Sequence, residues 1–576
     1  MIEILSVEDM RASDAAAIAG GIPQPELMRR AGKAIFDTMM SLRMQPDRET
    51  PPAASPVCGN GAGKCWQPPV AIVCGKGNNG GDGLELAKLL EEAGIAHTVF
   101  RLYAENSKAG FTSEPAAASG ANNAESAGSG SFGKPGFPVP DFSGFPTIVD
   151  CIFGTGFHGG IRPAFAEVIR VINASGAYVI SVDINSGLNG NSGLAAMESD
   201  GTSAPDSAQA VCRKTESVCV RSDLTVSIGS FQPGHFLAQA GDVMQSKVNC
   251  DIGIAPASKP YYLFEKEDAA RIFTPRKKYS NKADYGYIAL IGGSARYGGA
   301  IRLAAMANAA MRAGAGVVKL AVPKGLCSAI RPEILESTLF PLRDRDCDLI
   351  FEEAEFAELI ASVRVIAFGM GIGKTAESAK ALRYLLDNFR GTLIIDADGL
   401  NVLAEMTDVL VSAVCSRIIL TPHPKEFSRL SGMDTKTVLE HPALHAAAYA
   451  RKHKVIVLLK GTATVITDGE TVYLTDRGCA GMATAGSGDV LSGVIAAVCG
   501  SVKTGSGTLQ PGSVQPGSAE TEEDAAGSDP LLTAVASASW ITGLAGELAQ
   551  AENGDISMVA SDTAKHLRDA LKTLRE

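Results

Sequence analysis

The chain runs twice through a series in which a short β-branched, apolar run ends at Gly or Asp and a helical pattern follows. This alternation is typical of parallel α/β architecture, because buried parallel strands are continuously apolar and need helical connections. We therefore predict two α/β domains that meet between residues 255 and 270. The first series predicts strands at residues 70–74, 147–153, 177–183 and 224–228, and the second at 287–291, 317–322, 365–368, 393–396, 417–421 and 455–459.

Length and composition exclude several classes of protein. The 576 residues exceed what one hydrophobic core usually supports, and the formal net charge of −11 argues against a general nucleic-acid or anionic-membrane binder. The 12 cysteines contain no C-x-x-C pair, which favours reduced thiols over a disulfide framework or zinc site. The acidic N-terminus does not resemble a signal peptide, and no apolar run approaches the roughly 18 residues of a membrane span. We expect a cytoplasmic homo-oligomer without nucleic-acid or membrane partners.

Three tracts are rich in Gly, Ser, Pro and Ala and show little apolar periodicity. They cover about residues 45–68, 105–145 and 501–530. Such composition does not build a packed core, so we predict surface insertions.

The segment TAGSGD, from Thr484 to Asp489, stands directly before a helical pattern. Glycines at a helix N-terminus let backbone N–H groups approach a phosphate, so Gly486 and Gly488 indicate an anion site. Asp489 is placed to take a proton from a hydroxyl that attacks this phosphate. On the motif alone, a helix cap is the competing role for Asp489. The apolar residues predicted to share one helix face are Val490, Leu491, Val494, Ile495 and Val498.

The second half carries five motifs: GMATAGSGDVLSGVIAA, IIDADGLNVL, ILTPHPKEFSRL, LLKGTATVI and YIALIGGSARYGGAIRLAAMANAAMRAGAGVVKLAVP. Together they resemble the ADP-dependent NAD(P)H-hydrate dehydratase family. The resemblance implies a ribokinase-like α/β domain at residues 260–576. It also implies dehydration of the S form of hydrated NADH or NADPH, with ADP as co-substrate and Mg²⁺, giving AMP, phosphate and the restored cofactor.

The same resemblance implies roles for individual residues. Asp489 would activate the hydrate hydroxyl, and Asp396 and Asp398 would hold Mg²⁺ through water. A helix cap is an equal alternative for Asp398, and a structural turn is the alternative for His423. The substrate pocket would contain Ala300, Gly371, Gly373, His423 and Asp489, with Gly299 beside them. The nucleotide would contact Lys460, Gly461, Thr462, Ala463, Thr464 and Gly488.

The first half carries the segments SVEDMRASDAAAIAGGIPQPELMRRAGKAI, AIVCGKGNNGGDGLELAKLL, IVDCIFGTGFHGGIR and VISVDINSGLNGNSG. Together they resemble the NAD(P)H-hydrate epimerase family. The resemblance implies a Rossmann-like three-layer domain at residues 1–255 that interconverts the R and S forms of the hydrate. Asp183 would be catalytic, at a strand end where burial suits a proton-transfer carboxylate. A K⁺ ion would be held by Asn79, Asp150 and Ser186, and the substrate by Asn78, Asn79, Gly80, Gly81, Asp82, Gly154, Thr155, Gly156, Phe157, His158, Gly159, Gly160 and Asp183.

This chain departs from the family patterns at several positions. In the first half, Asn185 replaces a proline and Gln232 a lysine, and Arg29 follows the Leu-Met pair in place of a glutamate. In the second half, Met370 replaces a proline, and Thr542 and Gly543 replace a His-Gly pair. If that lysine assists chemistry, we expect its loss to weaken epimerisation. The alternative for the first half, given Gln232 and Asn185, is a binding module that keeps a nucleotide-shaped pocket without catalysis. The rival for the second half is a small-molecule kinase of the ribokinase superfamily, because Gly-x-Gly-Asp serves phosphoryl transfer generally.

Overall fold

The computed structural model describes residues 1–43, 65–102, 112–115, 139–199, 217–305, 309–502 and 529–576. The chain divides into two compact units. The N-terminal unit is Glu3–Pro260, and the C-terminal unit is Tyr261–Glu576 together with Met1–Ile2.

The N-terminal unit is built on a seven-stranded sheet in the order β10-β9-β6-β5-β2-β3-β4. All neighbouring strands are parallel except β4, which runs antiparallel to β3. The strands up to this boundary are β1 (Ile2–Ile4), β2 (Val70–Cys74), β3 (His97–Arg101), β4 (Thr112–Pro115), β5 (Thr147–Cys151), β6 (Tyr178–Val182), β7 (Ala196–Met197), β8 (Ser217–Val218), β9 (Leu224–Ile228) and β10 (Lys247–Cys250). The helices are α1 (Val7–Ala19), α2 (Gln24–Arg43), α3 (Asn78–Glu92), α4 (Pro163–Ala174) and α5 (Ala240–Val243).

Helices cover both faces of this sheet, because alternate strand residues point in opposite directions. Val70, Ile72 and Cys74 of β2 pack in one core with α2 and α3. Ala71 and Val73 pack in a second core with α4. The predicted three-layer α/β architecture is confirmed.

The C-terminal unit contains an eleven-stranded sheet in the order β1-β11-β22-β21-β20-β19-β18-β17-β12-β13-β14. Its seven strands from β20 to β14 are parallel, and β21 is antiparallel to both neighbours. The strands after residue 260 are β11 (Tyr261–Leu263), β12 (Tyr287–Ile291), β13 (Val317–Pro323), β14 (Thr338–Leu342), β15 (Asp344–Arg345), β16 (Asp348–Leu349), β17 (Val365–Phe368), β18 (Thr392–Ile395), β19 (Arg417–Leu420), β20 (Ile456–Leu459), β21 (Thr464–Thr467) and β22 (Val472–Thr475).

All ten predicted strands are present, with ends that match or differ by at most two residues. The α/β fold class is therefore confirmed for both units. The helices of the C-terminal unit are α6 (Lys266–Ile272), α7 (Gly298–Ala305), α8 (Ala309–Arg312), α9 (Cys327–Ile330), α10 (Glu353–Ile360), α11 (Ala376–Asn388), α12 (Asp398–Leu403), α13 (Pro424–Ser431), α14 (Thr435–Glu440), α15 (Pro442–His453), α16 (Ser487–Ser501), α17 (Pro530–Asn553) and α18 (Ala560–Thr573).

Two apolar helices differ from the expectations. Helix α16 is buried around most of its circumference and not on one face alone, because α7, α17 and the sheet surround it. Helix α17 is long and apolar enough to cross a membrane by length and composition, so the expectation of no such run is wrong. However, 89% of its most apolar window is buried in the protein, as in a core helix.

Most of the three predicted insertions, at about residues 45–68, 105–145 and 501–530, lies outside the described residues. Two parts of these segments that the structure does describe are not surface insertions. Trp66 is 2% exposed and donates a hydrogen bond from Nε1 to the carbonyl of Met39. Strand β4 adds an antiparallel edge to the sheet beside β3.

Candidate functional sites at the carboxyl ends of the strands

In the C-terminal unit, polar side chains gather just beyond the carboxyl ends of parallel strands, where ligands bind in open α/β sheets. Asp396 follows β18, His423 follows β19, and Lys460 follows β20. These strands are neighbours in the sheet. Residues that are far apart in the chain therefore meet at one edge.

Asp396 and Lys460 form the centre of this group. The Lys460 ammonium lies 3.0 Å from Oδ1 of Asp396, and the Ser492 hydroxyl donates to Oδ2 of Asp396 at 2.8 Å. Lys460 also lies 4.0 Å from Oε2 of Glu426. Burial opposes the charge of Lys460, but the carboxylates of Asp396, Glu426 and Asp489 outweigh burial and raise its pKa. The site thus holds a fixed positive charge among carboxylates.

Asp489 lies in the first turn of α16. The residue before this helix, Gly486, has φ +96°, a left-handed conformation that glycine adopts at little cost. The Asp489 carboxylate makes no hydrogen bond to a described residue, so the structure does not show it as a helix cap. Burial raises its pKa to about 7; Asp396 and Asp398 add to the rise, and Lys460 opposes it. Asp489 is therefore a carboxylate suited to accept a proton near neutral pH.

Gly488, in the first turn of α16, lies beside Lys460 and Asp396. A Cβ atom at Gly488 would lie 3.4 Å from the Lys460 ammonium and 3.8 Å from Oδ2 of Asp396. Gly461 and Thr462 are exposed after β20, Ala463 is buried, and Thr464 begins β21. The structure thus brings Gly488 and Lys460 together, with the 461–464 segment next to them in the chain.

His423 caps helix α13. Its Nδ1 accepts hydrogen bonds from the N–H groups of Lys425 and Glu426 at 3.1 and 3.2 Å. Glu426 Oε2 in turn accepts from the His423 N–H at 2.8 Å. Burial lowers the pKa of His423, and nearby Lys460 and Arg429 lower it further. In this neutral tautomer Nε2 carries the hydrogen, and it lies 3.6 Å from Oε1 of Glu426, beyond hydrogen-bond distance. The turn role and the substrate role are therefore compatible.

The glycine-rich segment after β17 lies against α7. A Cβ atom at Gly371 would come within 3.0 Å of the Cβ of Ala300, so these two predicted pocket residues are neighbours. The N–H of Gly373 donates to Oδ2 of Asp398 at 2.9 Å. Asp398 is the first residue of α12, but the preceding Ala397 makes no side-chain cap, and the Asp398 carboxylate bonds another loop. The structure therefore favours neither a cap at Asp398 nor a direct metal cage.

In the N-terminal unit, Asp183 lies directly after β6 with φ +66°, an unusual backbone conformation for a non-glycine residue. Its Oδ2 accepts hydrogen bonds from the N–H and hydroxyl of Thr155, at 2.7 and 3.0 Å. A Cβ atom at Gly154 would lie 2.4 Å from the same oxygen, so a larger residue there would displace the Asp183 carboxylate. Burial raises the pKa of Asp183, and the two Thr155 hydrogen bonds oppose the rise. The geometry suits a proton-transfer carboxylate.

Asn79, Asp150 and Ser186, the predicted K⁺ ligands, are all buried, and Ser186 contacts Asp150 directly. The Ser186 hydroxyl donates to Oδ1 of Asp150 at 2.6 Å, and the Ser186 N–H donates to Oδ2 at 3.0 Å. Asn79 donates from Nδ2 to the carbonyl of Val182, while its buried Oδ1 has no hydrogen-bond partner. Buried polar atoms are rarely left unpaired, so this all-oxygen set fits a hard cation.

The remaining predicted epimerase residues lie in the first turns of α3 and in the loop after β5. Asn78 and Asn79 begin α3, and Gly80 packs so closely on Gly75 that a Cβ would lie 1.9 Å from its carbonyl oxygen. Asp82 belongs to the first turns of α3, where burial and nearby Asp183 and Asp14 raise its pKa. Gly81, in the same turns, lies against Met28. In the loop after β5, Phe157 is partly buried and stacks on Phe153, while Gly156, His158, Gly159 and Gly160 are exposed.

The departures from the family patterns have different structural effects. The Asn185 amide donates to the carbonyls of Val220 and Val243, so it ties loops together without a proline. Gln232 is fully buried and donates to the Ser230 carbonyl, but its Oε1 has no partner and it brings no charge. Thr542 and Gly543 lie inside α17, and Met370 is buried.

His235 is a site neighbour that sequence reasoning missed. Its Nδ1 accepts from the Gln232 N–H at 3.0 Å, so Nε2 donates to the Asp183 carbonyl at 2.8 Å. Burial lowers its pKa to about 4, which keeps it neutral. Asp14, Glu426 and Ser492 were also missed. Of these residues, only Glu426 could have been found from the sequence, because it stands three positions after His423, the spacing of a capping box.

Comparison with known protein families finds a matching family model for each half of the chain. The family model described as NAD(P)H-hydrate dehydratase matches residues 288–569, and the model described as YjeF-related protein N-terminus matches residues 24–234.

Curated relatives match nearly the whole chain. The bifunctional NAD(P)H-hydrate repair enzyme Nnr of Moorella thermoacetica is 31% identical over 88% of this chain and 88% of its own length. The protein of the same name from Escherichia coli K12 is 30% identical over 83% of this chain and 81% of its own length. Among solved structures, the ADP/ATP-dependent NAD(P)H-hydrate dehydratase of Bacillus subtilis is 23% identical, with a TM-score of 0.42, over 55% of this chain and 99% of that one. Both predicted resemblances are confirmed, and the chain belongs to the family of bifunctional NAD(P)H-hydrate repair enzymes.

Proposed function

We propose that this protein repairs hydrated NADH and NADPH with two activities. Residues 260–576 would dehydrate the S form with ADP, and residues 1–255 would interconvert the R and S forms. Membership of the bifunctional family supports this assignment. The observation that carries it is the unpaired carboxylate of Asp489 at the N-terminus of α16, beside Lys460 and Asp396.

In the dehydration, Asp489 takes the proton of the hydroxyl on C6 of the hydrated ring while that oxygen attacks the β-phosphorus of ADP. The bond between phosphorus and the bridging oxygen breaks, and AMP leaves. The phosphorylated hydroxyl then departs as phosphate, C5 loses a proton, and the C5=C6 double bond of NADH or NADPH is restored. The N–H groups at the start of α16 stabilise the negative charge of the transferred group.

Lys460 supports this step from its fixed place between Asp396 and Glu426. Its positive charge attracts the phosphates of ADP. Asp396 holds the ammonium group in position, and the Ser492 hydroxyl in turn donates to Asp396. His423 offers Nε2–H to the hydrate as a neutral donor. Ala300, Gly371 and Gly373 contribute a surface with little side-chain bulk.

The residues present fit a Mg²⁺ ion that is held mainly by water and phosphate. Among the described residues no group of three His, Cys, Asp or Glu side chains could hold a metal. Both oxygens of Asp396 are engaged, whereas Asp398 keeps one oxygen without a described partner. Mg²⁺ usually keeps several waters and uses one or two carboxylates beside nucleotide phosphates. When bound, the ion neutralises phosphate charge.

In the N-terminal unit, Asp183 acts on the C6 hydroxyl, and Asn79, Asp150 and Ser186 hold K⁺. The unpaired Oδ1 of Asn79 and the buried Asp150 carboxylate support the cation. When bound, the ion would supply positive charge to this site. Asn78, Gly80, Gly81 and Asp82, and the segment from Gly154 to Gly160, form the substrate walls.

The test follows the absorbance of the reduced nicotinamide in a mixture of NADH-hydrate epimers with the full-length protein, Mg²⁺, K⁺ and ADP. Recovery of NADH from both epimers, with AMP and phosphate released, is expected. If only the NADH hydrate that was present as the S form is recovered, after spontaneous epimerisation is subtracted, the N-terminal unit would be a binding module without epimerase activity. A stable phosphorylated product without free phosphate would indicate the small-molecule kinase instead. The homo-oligomeric state and the cytoplasmic location stay predictions.

A further inference from the structure

Asp183 is the central residue of a tight turn directly after β6. The N–H of Ile184 donates to the carbonyl of Val182 at 2.9 Å, across Asp183 with its φ of +66°. A turn closed by this bond around a positive φ is the rare and strained form of the γ-turn. Such strain persists only where surrounding groups hold the backbone, and it clusters at functional sites. The turn therefore depends on partners that fix it.

Both backbone polar groups of Asp183 have a partner from another segment. Its N–H donates to the carbonyl of Val226 in β9 at 2.8 Å. Its carbonyl oxygen accepts from Nε2 of His235, also at 2.8 Å. In the side chain, Oδ2 accepts from Thr155, whereas Oδ1 makes no hydrogen bond to a described residue. Three of the four polar atoms are thus held, and Oδ1 is left for a ligand.

The contact with Asp183 fixes which ring nitrogen of His235 carries the hydrogen. A carbonyl oxygen can only accept, so Nε2 donates, and Nδ1 of the neutral ring accepts from the N–H of Gln232 at 3.0 Å. Burial lowers the pKa of His235 to about 4, so the ring stays neutral around pH 7. His235 therefore offers the turn a donor of constant direction.

The segment that carries His235 is closely packed. The ring is fully buried and lies edge-on to Phe231, with centroids 5.3 Å apart. A Cβ atom at Gly234 would lie 2.2 Å from the carbonyl oxygen of Asn189. The Lys247 ammonium donates to the His235 carbonyl at 3.1 Å. Close packing of this kind keeps a side chain in one rotamer, so the donor is held in place as well as in direction.

We propose that His235 is a positioning residue of the epimerase, which holds the strained turn so that Oδ1 of Asp183 meets the C6 hydroxyl of the hydrate. This inference rests on the proposed function. His235 transfers no proton itself, because its Nε2–H is engaged by the Asp183 carbonyl. A displacement of a reacting group by about 1 Å can cost roughly 100-fold in rate. Loss of the donor should therefore lower turnover and leave binding of the hydrate largely intact.

The test compares His235→Gln with His235→Asn in the full-length protein. The amide nitrogen of glutamine lies as many bonds from Cβ as Nε2 of histidine, so it can reach the Asp183 carbonyl. The shorter asparagine can accept from the N–H of Gln232 but cannot reach Asp183. Conversion of the R form is measured against its concentration, with excess ADP and an excess of a separate dehydratase that has no epimerase domain. His235→Asn is expected to lower kcat about 100-fold with KM nearly unchanged, and His235→Gln less than about 10-fold.

His97→Leu is the matched control for folding. His97 is also buried in the N-terminal unit, and its ring nitrogen Nδ1 lies 3.0 Å from the Ile95 carbonyl. It belongs to β3, which β5 and β2 separate from β6. His97→Leu should lower the thermal midpoint and keep the wild-type kcat for the R form. A loss of kcat in this control as large as in His235→Asn would make general destabilisation the cause and overturn the assignment.

Three further results would overturn it: wild-type kcat in His235→Asn, equal losses of kcat in both His235 variants, or a change in KM alone. A measurement on wild type needs no substitution. Nitrogen NMR of protein labelled at histidine should show His235 as the neutral Nε2–H tautomer at neutral pH, and a charged ring or an Nδ1–H tautomer would refute the donor. Failure of the proposed function would look different, because wild type itself would then not accelerate conversion of the R form.

Discussion

The Nζ atom of Lys460 lies 3.0 Å from Oδ1 of Asp396, and both groups are largely buried, at 22% and 2% side-chain exposure. The two residues follow β20 and β18, which lie on either side of β19 in the sheet. Asp489 faces this pair without a hydrogen bond of its own. The pair therefore provides a rigid, charged support beside a carboxylate that is left free for chemistry.

Replacement of Lys460 by Met should destabilise the C-terminal unit strongly. The Asp396 carboxylate would remain buried with only the Ser492 hydroxyl as a side-chain partner, and breaking a buried pair costs about 3–5 kcal/mol. Urea unfolding measures this loss, and Lys452→Met on the exposed surface is the matched control. Addition of Asp396→Asn to Lys460→Met should restore part of the stability. A Lys460→Met protein as stable as the control would refute a structural contribution from the pair.

Asp489→Asn should abolish dehydration of the S form while the protein stays folded. The amide cannot accept the hydroxyl proton, and loss of a general base typically lowers the rate about 10²–10⁴-fold. Phosphate release from ADP and S-NADH hydrate measures the effect. Asp555→Asn, at an exposed position of the same unit, should keep wild-type turnover. Substantial turnover in Asp489→Asn would exclude this aspartate as the base.

The pH dependence of dehydration should report Asp489. Its pKa is raised to about 7, so the carboxylate becomes protonated and the rate of the chemical step falls as the pH drops below that value. Single-turnover rates with Mg²⁺ and ADP saturating at each pH measure this limb. A rate that stays constant from pH 8 to about 5 would contradict the prediction.

The raised pKa of Asp489 also affects stability. A rise in pH increases the dehydration rate but lowers the contribution of Asp489 to the free energy of unfolding. Between the usual value of 3.8 and about 7, folded Asp489 keeps a proton that the unfolded chain has lost. Its contribution therefore lowers the free energy of unfolding as the pH rises through this window. Asp489→Asn lacks the effect, so its stability relative to wild type should increase from pH 4 to 7. A constant difference in urea unfolding across the window would count against the shifted pKa.

Exchange of K⁺ for choline should slow conversion of the R form and leave dehydration of the S form unchanged. Asp150 and the unpaired Oδ1 of Asn79 would lose their cation. Potassium should also raise the thermal midpoint of the N-terminal unit, because a ligand that binds only the folded state stabilises it. Ser186→Ala should weaken this response, whereas Ser41→Ala, at an exposed position of α2, should keep it. A thermal midpoint that is indifferent to K⁺ would argue against the cation site.

Local patterns predicted much of this protein. Continuous apolar runs located all ten predicted strands, and the glycines before α16 located the helix start and Asp489. The motifs also indicated the correct family. These features depend on residues close together in the chain, where periodicity and backbone preference act directly.

Other features depend on contacts between distant segments. The sequence could not show that α16 is surrounded on all sides, that α17 is a core helix, or that Asp398 bonds Gly373. It also could not show that His423 shares Glu426 with Lys460. By itself, the sequence determined ten of the strands, the glycine turn before α16 and the family. Only the tertiary structure decided which carboxylates stay unpaired and which receive a partner, because burial and charge neighbours are set by the packing of strands and helices that are remote in the chain.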